Sequence, residues 1–293
     1  MAIRRERNGR SGPDRRLLSH CAAEVREHDP DRYLATLFAP AEAREALFAL
    51  YAVDHEITRV RRMVSEPMAG LVRLQWWREA LEAIAADRPP AHPVVEALHA
   101  RWDRFAPLRP RLERAIDAHE QELSAEPPAD LAALERRLAA SAGEVSLAAM
   151  DLLEVQGEPA RAAARHLGVA LGLVRLLQSL PGDLRRARGP LPQALLARHG
   201  VDPEGLDQAA AGAALRPVVA EVTARAREHL HQARRHRRAI PRRALAALLP
   251  APLLDAYLKR LARARFDPLA PVRSQPGGTA PLRLLGRYAL RRY

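Results

Sequence analysis

Arg44-Glu45-Ala46-Leu47-Phe48-Ala49-Leu50-Tyr51-Ala52-Val53-Asp54-His55-Glu56-Ile57-Thr58-Arg59-Val60-Arg61-Arg62 is the stretch on which the fold turns. Its apolar Ala46, Leu50, Val53, Ile57 and Val60 recur at three and four residues, the period of a helix face and not of a strand. Pro40 suits the first turn of a helix, so one long helix opens there and runs to about Val64. Asp54, His55, Glu56, Arg59 and Arg62 interrupt the apolar pattern near its middle and make it a candidate site.

The same period continues on both sides. Leu17 to about Glu27 reads as a helix that ends at Asp29-Pro30-Asp31, and a short one follows through Phe38. Ser65-Glu66-Pro67 restarts the chain with a capping residue and a proline, leading into Met68–Ala86. Further helices are predicted over about His92–Phe105, Arg109–Ala125, Ala129–Val155, Ala160–Leu180, Pro217–Arg238 and Arg242–Ala264, with Pro- and Gly-bearing connectors between them. No strand alternation and no repeat appears. The reading is all-α: a basic disordered tail over 1–16, one helical domain over 17–269, and a last segment over 270–293. In that segment 270–281 is a flexible break. Leu282, Leu285, Tyr288 and Ala289 then share one face of a short basic amphipathic helix.

Composition agrees. Of 293 residues 48% are hydrophobic but only 4% aromatic, so the core is built mainly of Ala, Leu and Val, which suits closely packed helices. There is no apolar run of about 18 residues and no short apolar leader, so neither a membrane span nor a secretory signal is expected. The single Cys21 makes no internal disulfide, which fits a reducing compartment. The formal charge is +12, and Lys259 is the only lysine, as Asn8 is the only asparagine. That usage looks like a GC-rich bacterial genome, which supplies part of the arginine. Placement says more than the total. Residues 225–243 hold eight Arg against one acid, and 283–293 hold four against none. Such patches favour an anionic membrane surface. Nucleic acid is not expected, because no aromatic residues interleave with the arginines.

A second candidate site lies at Leu180-Pro181-Gly182-Asp183-Leu184-Arg185-Arg186-Ala187-Arg188, where a glycine-bearing apolar helix ends in an acid followed by arginines. Trp76 and Trp77 cannot face the same way, so one belongs to the core and the other to a cavity or the surface. Gly143, Gly168 and Gly172 read as places of close helix packing. His229, His231 and His236 lie among arginines without metal-ligand spacing.

Several ordered segments carry a resemblance. Asp31-Arg32-Tyr33, Phe38-Ala39-Pro40 and Arg44 to Ala52 resemble the opening of the squalene/phytoene synthases. Leu74-Gln75-Trp76-Trp77-Arg78-Glu79-Ala80-Leu81 is similar to that family's Trp-Arg segment. His166 to Leu173, then Asp183-Leu184-Arg185-Arg186 through Leu191-Pro192, are similar to its second site. The resemblance covers roughly residues 17 to 265 and implies a helical isoprenoid-synthase fold around a central cavity. It also implies two Asp-rich motifs, whose carboxylates would hold Mg²⁺ against a prenyl diphosphate leaving group.

Here the chain departs from the family. Thr58, Arg59 and Arg62 stand where the first motif has aspartates, and Ser179 stands before the retained Asp183 in the second. Asp54 and Glu56 lie two apart and point to different helix faces, so they do not replace a motif spaced at four. No catalytic residue and no resident metal or cofactor is therefore expected. Mg²⁺ enters only under the alternative, a head-to-head prenyltransferase of terpenoid, carotenoid or hopanoid biosynthesis with a variant metal site. Residues 55–77 also resemble a subgroup regarded as non-catalytic, the assembly factors of mitochondrial respiratory complex I and their bacterial relatives. The resemblance thus implies a complex I subunit or assembly intermediate as partner. It places the protein in the cytoplasm against the inner membrane, with room for a prenyl or lipid-like ligand. Candidate ligand-binding residues are Tyr51, Asp54, His55, Glu56, Arg59, Trp77, Arg78, Asp183, Arg185 and Arg186.

Overall fold

Ser19 opens the first helix by accepting the Ala22 N–H at 3.1 Å, and Asp29 closes it and opens the next by accepting the Arg32 N–H at 3.2 Å. In the computed structural model, which describes residues 18–64, 66–123, 127–185, 191–202, 212–272 and 277–293, these helices are α1 (His20–His28) and α2 (Pro30–Thr36). The long helix expected after Pro40 is α3 (Ala41–Met63), and it buries Ala46, Leu50, Val53, Ile57 and Val60. Pro67 starts α4 (Pro67–Ala85), whose buried face is Gly70, Leu74, Trp77, Leu81 and Ile84. Every described element is helical, and one apolar core joins nearly all of them.

Four predicted helices have different bounds. The one expected over 92–105 is split into α5 (Pro93–His99) and α6 (Trp102–Phe105), because Arg101 leaves helical geometry and turns its guanidinium back onto the Ala97 carbonyl. After α7 (Arg109–Leu123), the helix expected over 129–155 becomes α8 (Leu131–Leu138) and α9 (Glu144–Leu152). They are joined by a widened π turn over Ala139–Gly143. The helix expected to stop at Leu180 continues through Pro181 as α10 (Glu158–Arg185), the proline offering no backbone N–H there. α11 (Gln193–Arg198) and α12 (Arg216–Arg234) follow. Near the end, Pro250 breaks the expected 242–264 helix into α13 (Leu245–Leu248) and α14 (Ala251–Arg263).

α10 is the axis of the molecule. By length and composition it is apolar enough to cross a bilayer, but most of its window is buried among α9, α12, α13 and α14. Small residues let it come close to its neighbours. A Cβ added at Gly168 would lie 2.6 Å from both the Ala142 carbonyl oxygen and the Gly143 Cα in the π turn.

The last helix, α15 (Ala280–Ala289), folds back onto the body. It does not present the face read from the sequence. Leu284 is fully buried against Ala35 and Leu249, and the Tyr288 ring packs 5.2 Å from Phe38 under the Arg242 guanidinium. Leu282 and Leu285 stay exposed on the opposite side, because α2 and α13 supply apolar partners only for the Leu284 side. Tyr293 then donates its hydroxyl to the Ala233 carbonyl at 2.9 Å. The expected tail over 1–16 and part of the expected break, residues 273–276, lie outside the described residues.

Candidate functional site

Asp54 faces inward from the middle of α3, and Arg175 faces it from α10, Nη1 donating to Asp54 Oδ2 at 3.2 Å. The two helices that would carry the metal motifs therefore meet, but through an ion pair within the chain. Arg32 of α2 closes on the same carboxylate, its Nη1 donating at 2.5 Å. The second amino group of Arg175 bonds Asp29, which also lies 3.7 Å from Arg32 Nε. Two arginines and two aspartates thus neutralise one another in the interior. The guanidinium of Arg32 also covers the Tyr51 ring, 4.5 Å from its centroid.

The electrostatics follow from this packing. Burial alone would push the Asp54 carboxyl up, but Arg32 and Arg175 overcome it and hold it at about 2. Burial pushes the Tyr51 hydroxyl up to about 12, so it stays protonated. Farther along the α3 row, Thr58 lies 3.5 Å from His119 Nε2, and His119 Nδ1 pairs with Glu122 at 3.0 Å. Burial opposes a charge on His119, yet Glu122 and then Asp54 raise its pKa.

Asp31 is different. One of its carboxyl oxygens is buried without a hydrogen-bond partner, and burial, with Asp29 beside it, pushes the group up to about 7 from an ordinary 3.8. A carboxyl raised by folding stabilises the fold fully below about pH 4 and loses that contribution as pH rises through about 7. Asp31→Asn is therefore expected to raise the thermal midpoint at pH 8 by a few degrees and to leave it nearly unchanged at pH 4.5. Equal shifts at both pH values would show that Asp31 does not titrate in this range.

The remaining sequence candidates divide into separate places. Ser179 and Asp183 are joined, the hydroxyl donating to Asp183 Oδ2 at 2.7 Å, because α10 continues past Pro181 and puts them one turn apart. Glu56 turns outward and pairs with Arg59 at 2.8 Å. Both line a cleft of about 270 Å³ with Arg73, Trp76, Trp77 and His92. Trp77 is buried and Trp76 is 36% exposed, their rings edge to face at 5.0 Å. Arg78 belongs to neither place: it bonds Asp117 and Glu120 across the α4–α7 seam. His55 faces α1, and Arg62 is exposed at the end of α3. Arg186 and the side chain of Arg185 lie outside the described residues.

Arg175, Arg32 and Asp29 are central here and absent from the sequence candidates. Arg175 had a signal, since it stands four residues before Ser179 and eight before Asp183 on one helix row. Arg32 and Asp29 had none beyond their place in the opening segment.

The magnesium implied by the fold family does not fit this arrangement. Its chemistry needs several free carboxylates on facing helices. Thr58, Arg59, Arg62 and Ser179 cannot supply them, while Asp54 and Asp29 are already held by guanidinium groups. A divalent ion there would have to displace Arg32 and Arg175.

Comparison with known proteins fits the geometry. The family model for squalene/phytoene synthase matches residues 25–283. The NADH dehydrogenase (ubiquinone) complex I, assembly factor 6 of Bos taurus is 31% identical over 285 residues, covering 97% of this chain and 84% of that protein. A presqualene diphosphate synthase of Sinorhizobium fredii is 26% identical over 73% of this chain and 77% of its own length. Among solved structures, a dehydrosqualene synthase in complex with ligand superposes with a TM-score of 0.76 over 92% of this chain and 94% of that one, at 18% identity. Sequence and fold agree: this chain belongs to the squalene/phytoene synthase family.

Proposed function

We propose that this protein is a non-catalytic assembly factor for the respiratory NADH dehydrogenase, complex I. The observation that carries the reading is the Arg32–Asp54–Arg175–Asp29 cluster, which ties together with internal ion pairs, one turn before Thr58 and Ser179, the two helices on which the resemblance implies metal-binding carboxylates. The similarity to complex I assembly factor 6, over nearly the whole chain, supports it.

Two measurements test it together. Purified protein given farnesyl or geranylgeranyl diphosphate with Mg²⁺ is expected to yield no condensation product. Deleting its gene in the native organism is expected to reduce mature complex I on native gels, with recovery by the wild-type chain and equally by Asp183→Ala. A Mg²⁺-dependent product that disappears in Asp183→Ala would establish the prenyltransferase alternative. Undiminished complex I in the deletion strain would overturn the assembly role.

The place of work in this proposal is an anionic membrane surface. Leu282, Leu285 and Leu290 are 72%, 55% and 66% exposed on the outer side of α15, and Arg283, Arg287, Arg291 and Arg292 are exposed around them. Each such arginine contributes on the order of 1 kcal/mol near a charged bilayer. Because α15 is docked through Leu284 and Tyr288, the test uses point substitutions and not truncation. Co-sedimentation with anionic vesicles is expected to exceed that with neutral ones, to weaken with salt, and to fall sharply in Leu282→Ser/Leu285→Ser. Binding to neither vesicle type would make these arginines a solvated surface.

A further inference from the structure

One turn before Arg59 on α3, α1 brings a second set of polar side chains against the helix. Glu24 and His28 stand one turn apart on α1, His28 Nε2 lying 3.6 Å from Glu24 Oε2. His55 of α3 stacks on His28, the rings parallel within 3° and 4.3 Å apart. One donor atom from each of the three lies within 4.8 Å of the other two. The ring nitrogens of His55 have no hydrogen-bond partner among the described residues. Neither the ion-pair cluster nor the cleft uses this trio.

We propose that Glu24, His28 and His55 form a binding site for a nitrogen-preferring divalent transition metal of the zinc class, pinning α1 to α3. Two imidazoles and one carboxylate are a ligand set that such ions accept with a water in the open position. It is a poor set for Mg²⁺, which takes oxygen donors. Bonds of about 2.0–2.2 Å require donors roughly 3.3 Å apart with the ion in each ring plane, so the His28 ring must rotate out of its stack on His55 for the site to form. His28 and Glu24 can move to do this, being 36% and 25% exposed.

The charges around the site set its strength. Arg59 and Arg62 face His55 and oppose a cation, although Glu56 meets the charge of Arg59. Asp54 is turned away and held by arginines. The consequence is structural: His28 precedes Asp29 and His55 follows Asp54 in the chain, so a metal here would brace the wall that carries both aspartates of the ion-pair cluster.

The test uses the full chain, stripped with chelator and titrated calorimetrically with Zn²⁺ and separately with Mg²⁺. One Zn²⁺ per chain is expected to bind, Mg²⁺ is not, and Zn²⁺ is expected to raise the thermal midpoint. His28→Ala changes an exposed group and Glu24→Gln keeps the shape of a half-buried one, so both are expected to leave the fold intact, which circular dichroism checks. Each is expected to weaken Zn²⁺ binding by roughly tenfold or more, since even outer partners of metal ligands cost about 10–100-fold. Absence of Zn²⁺ binding in the parent, or unchanged binding in both variants, would overturn the site. Either result leaves the assembly reading untouched, because that reading does not depend on this trio.

Discussion

Arg32→Ala is expected to lower the unfolding free energy by about 3–5 kcal/mol, the cost of breaking a buried ion pair from one side. Arg32 is 3% exposed, bonds Asp54 at 2.5 Å and lies over the Tyr51 ring, so removing the guanidinium takes the nearest countercharge from a buried carboxylate. Asp54 would keep only Arg175, which is 30% exposed and shared with Asp29. Urea unfolding measures this as a lower midpoint at an unchanged slope. The pH dependence separates charge from packing. The Asp54 carboxyl titrates near 3.8 when unfolded and near 2 when folded. Its contribution is whole above about pH 4 and is lost as pH falls through about 2. The gap between parent and Arg32→Ala is therefore expected to narrow on acidification. Arg32→Leu/Asp54→Leu is expected to recover much of the loss, because it removes both charges together. A deficit under about 1 kcal/mol for Arg32→Ala would place the pair among weak, solvent-screened bridges.

Gly168→Ala is the second large effect, and here the cause is shape. The new methyl would lie 2.6 Å from the Ala142 carbonyl oxygen and 2.8 Å from the Gly143 nitrogen. Those are backbone atoms of the π turn, and no rotamer change moves them aside. The expected cost is about 1–3 kcal/mol, with Gly168→Val costing more. Gly143→Ala is the control. Its Cβ would come no nearer than 3.6 Å to the Leu138 carbonyl, an ordinary contact, so neutral or slightly raised stability is expected. Equal losses at both positions would mean that the π turn itself, and not the approach of α10, is sensitive.

These two sites show how unevenly the sequence speaks. Gly168 and Gly172 were legible as packing glycines, because a small residue in an apolar helix has few other uses. The pairing of Trp76 and Trp77 was legible too: adjacent residues on a helix point about 100° apart, and one is buried while the other is exposed. The tail helix was only half legible. The reading put Tyr288 on one face with Leu282 and Leu285, but Tyr288 packs with Leu284 on the other side, where Ala35, Phe38 and Leu249 offer an apolar surface.

What the sequence by itself determined was the class of fold and which residue types stand at its candidate site. Helical periodicity, proline breaks and capping residues are local, acting within a few residues, so the helices of an all-α chain can be read almost directly. That positions 58, 59, 62 and 179 carry Thr, Arg, Arg and Ser and no carboxylate is likewise written position by position. What only the tertiary structure decided was where the surviving charges go. Arg32 and Asp54 are 22 residues apart, and Arg175 and Asp54 are 121 apart. Coulombic attraction between them acts through space and leaves no mark on the chain between. The stacking of His28 on His55 is the same kind of fact, created only when α1 settles against α3.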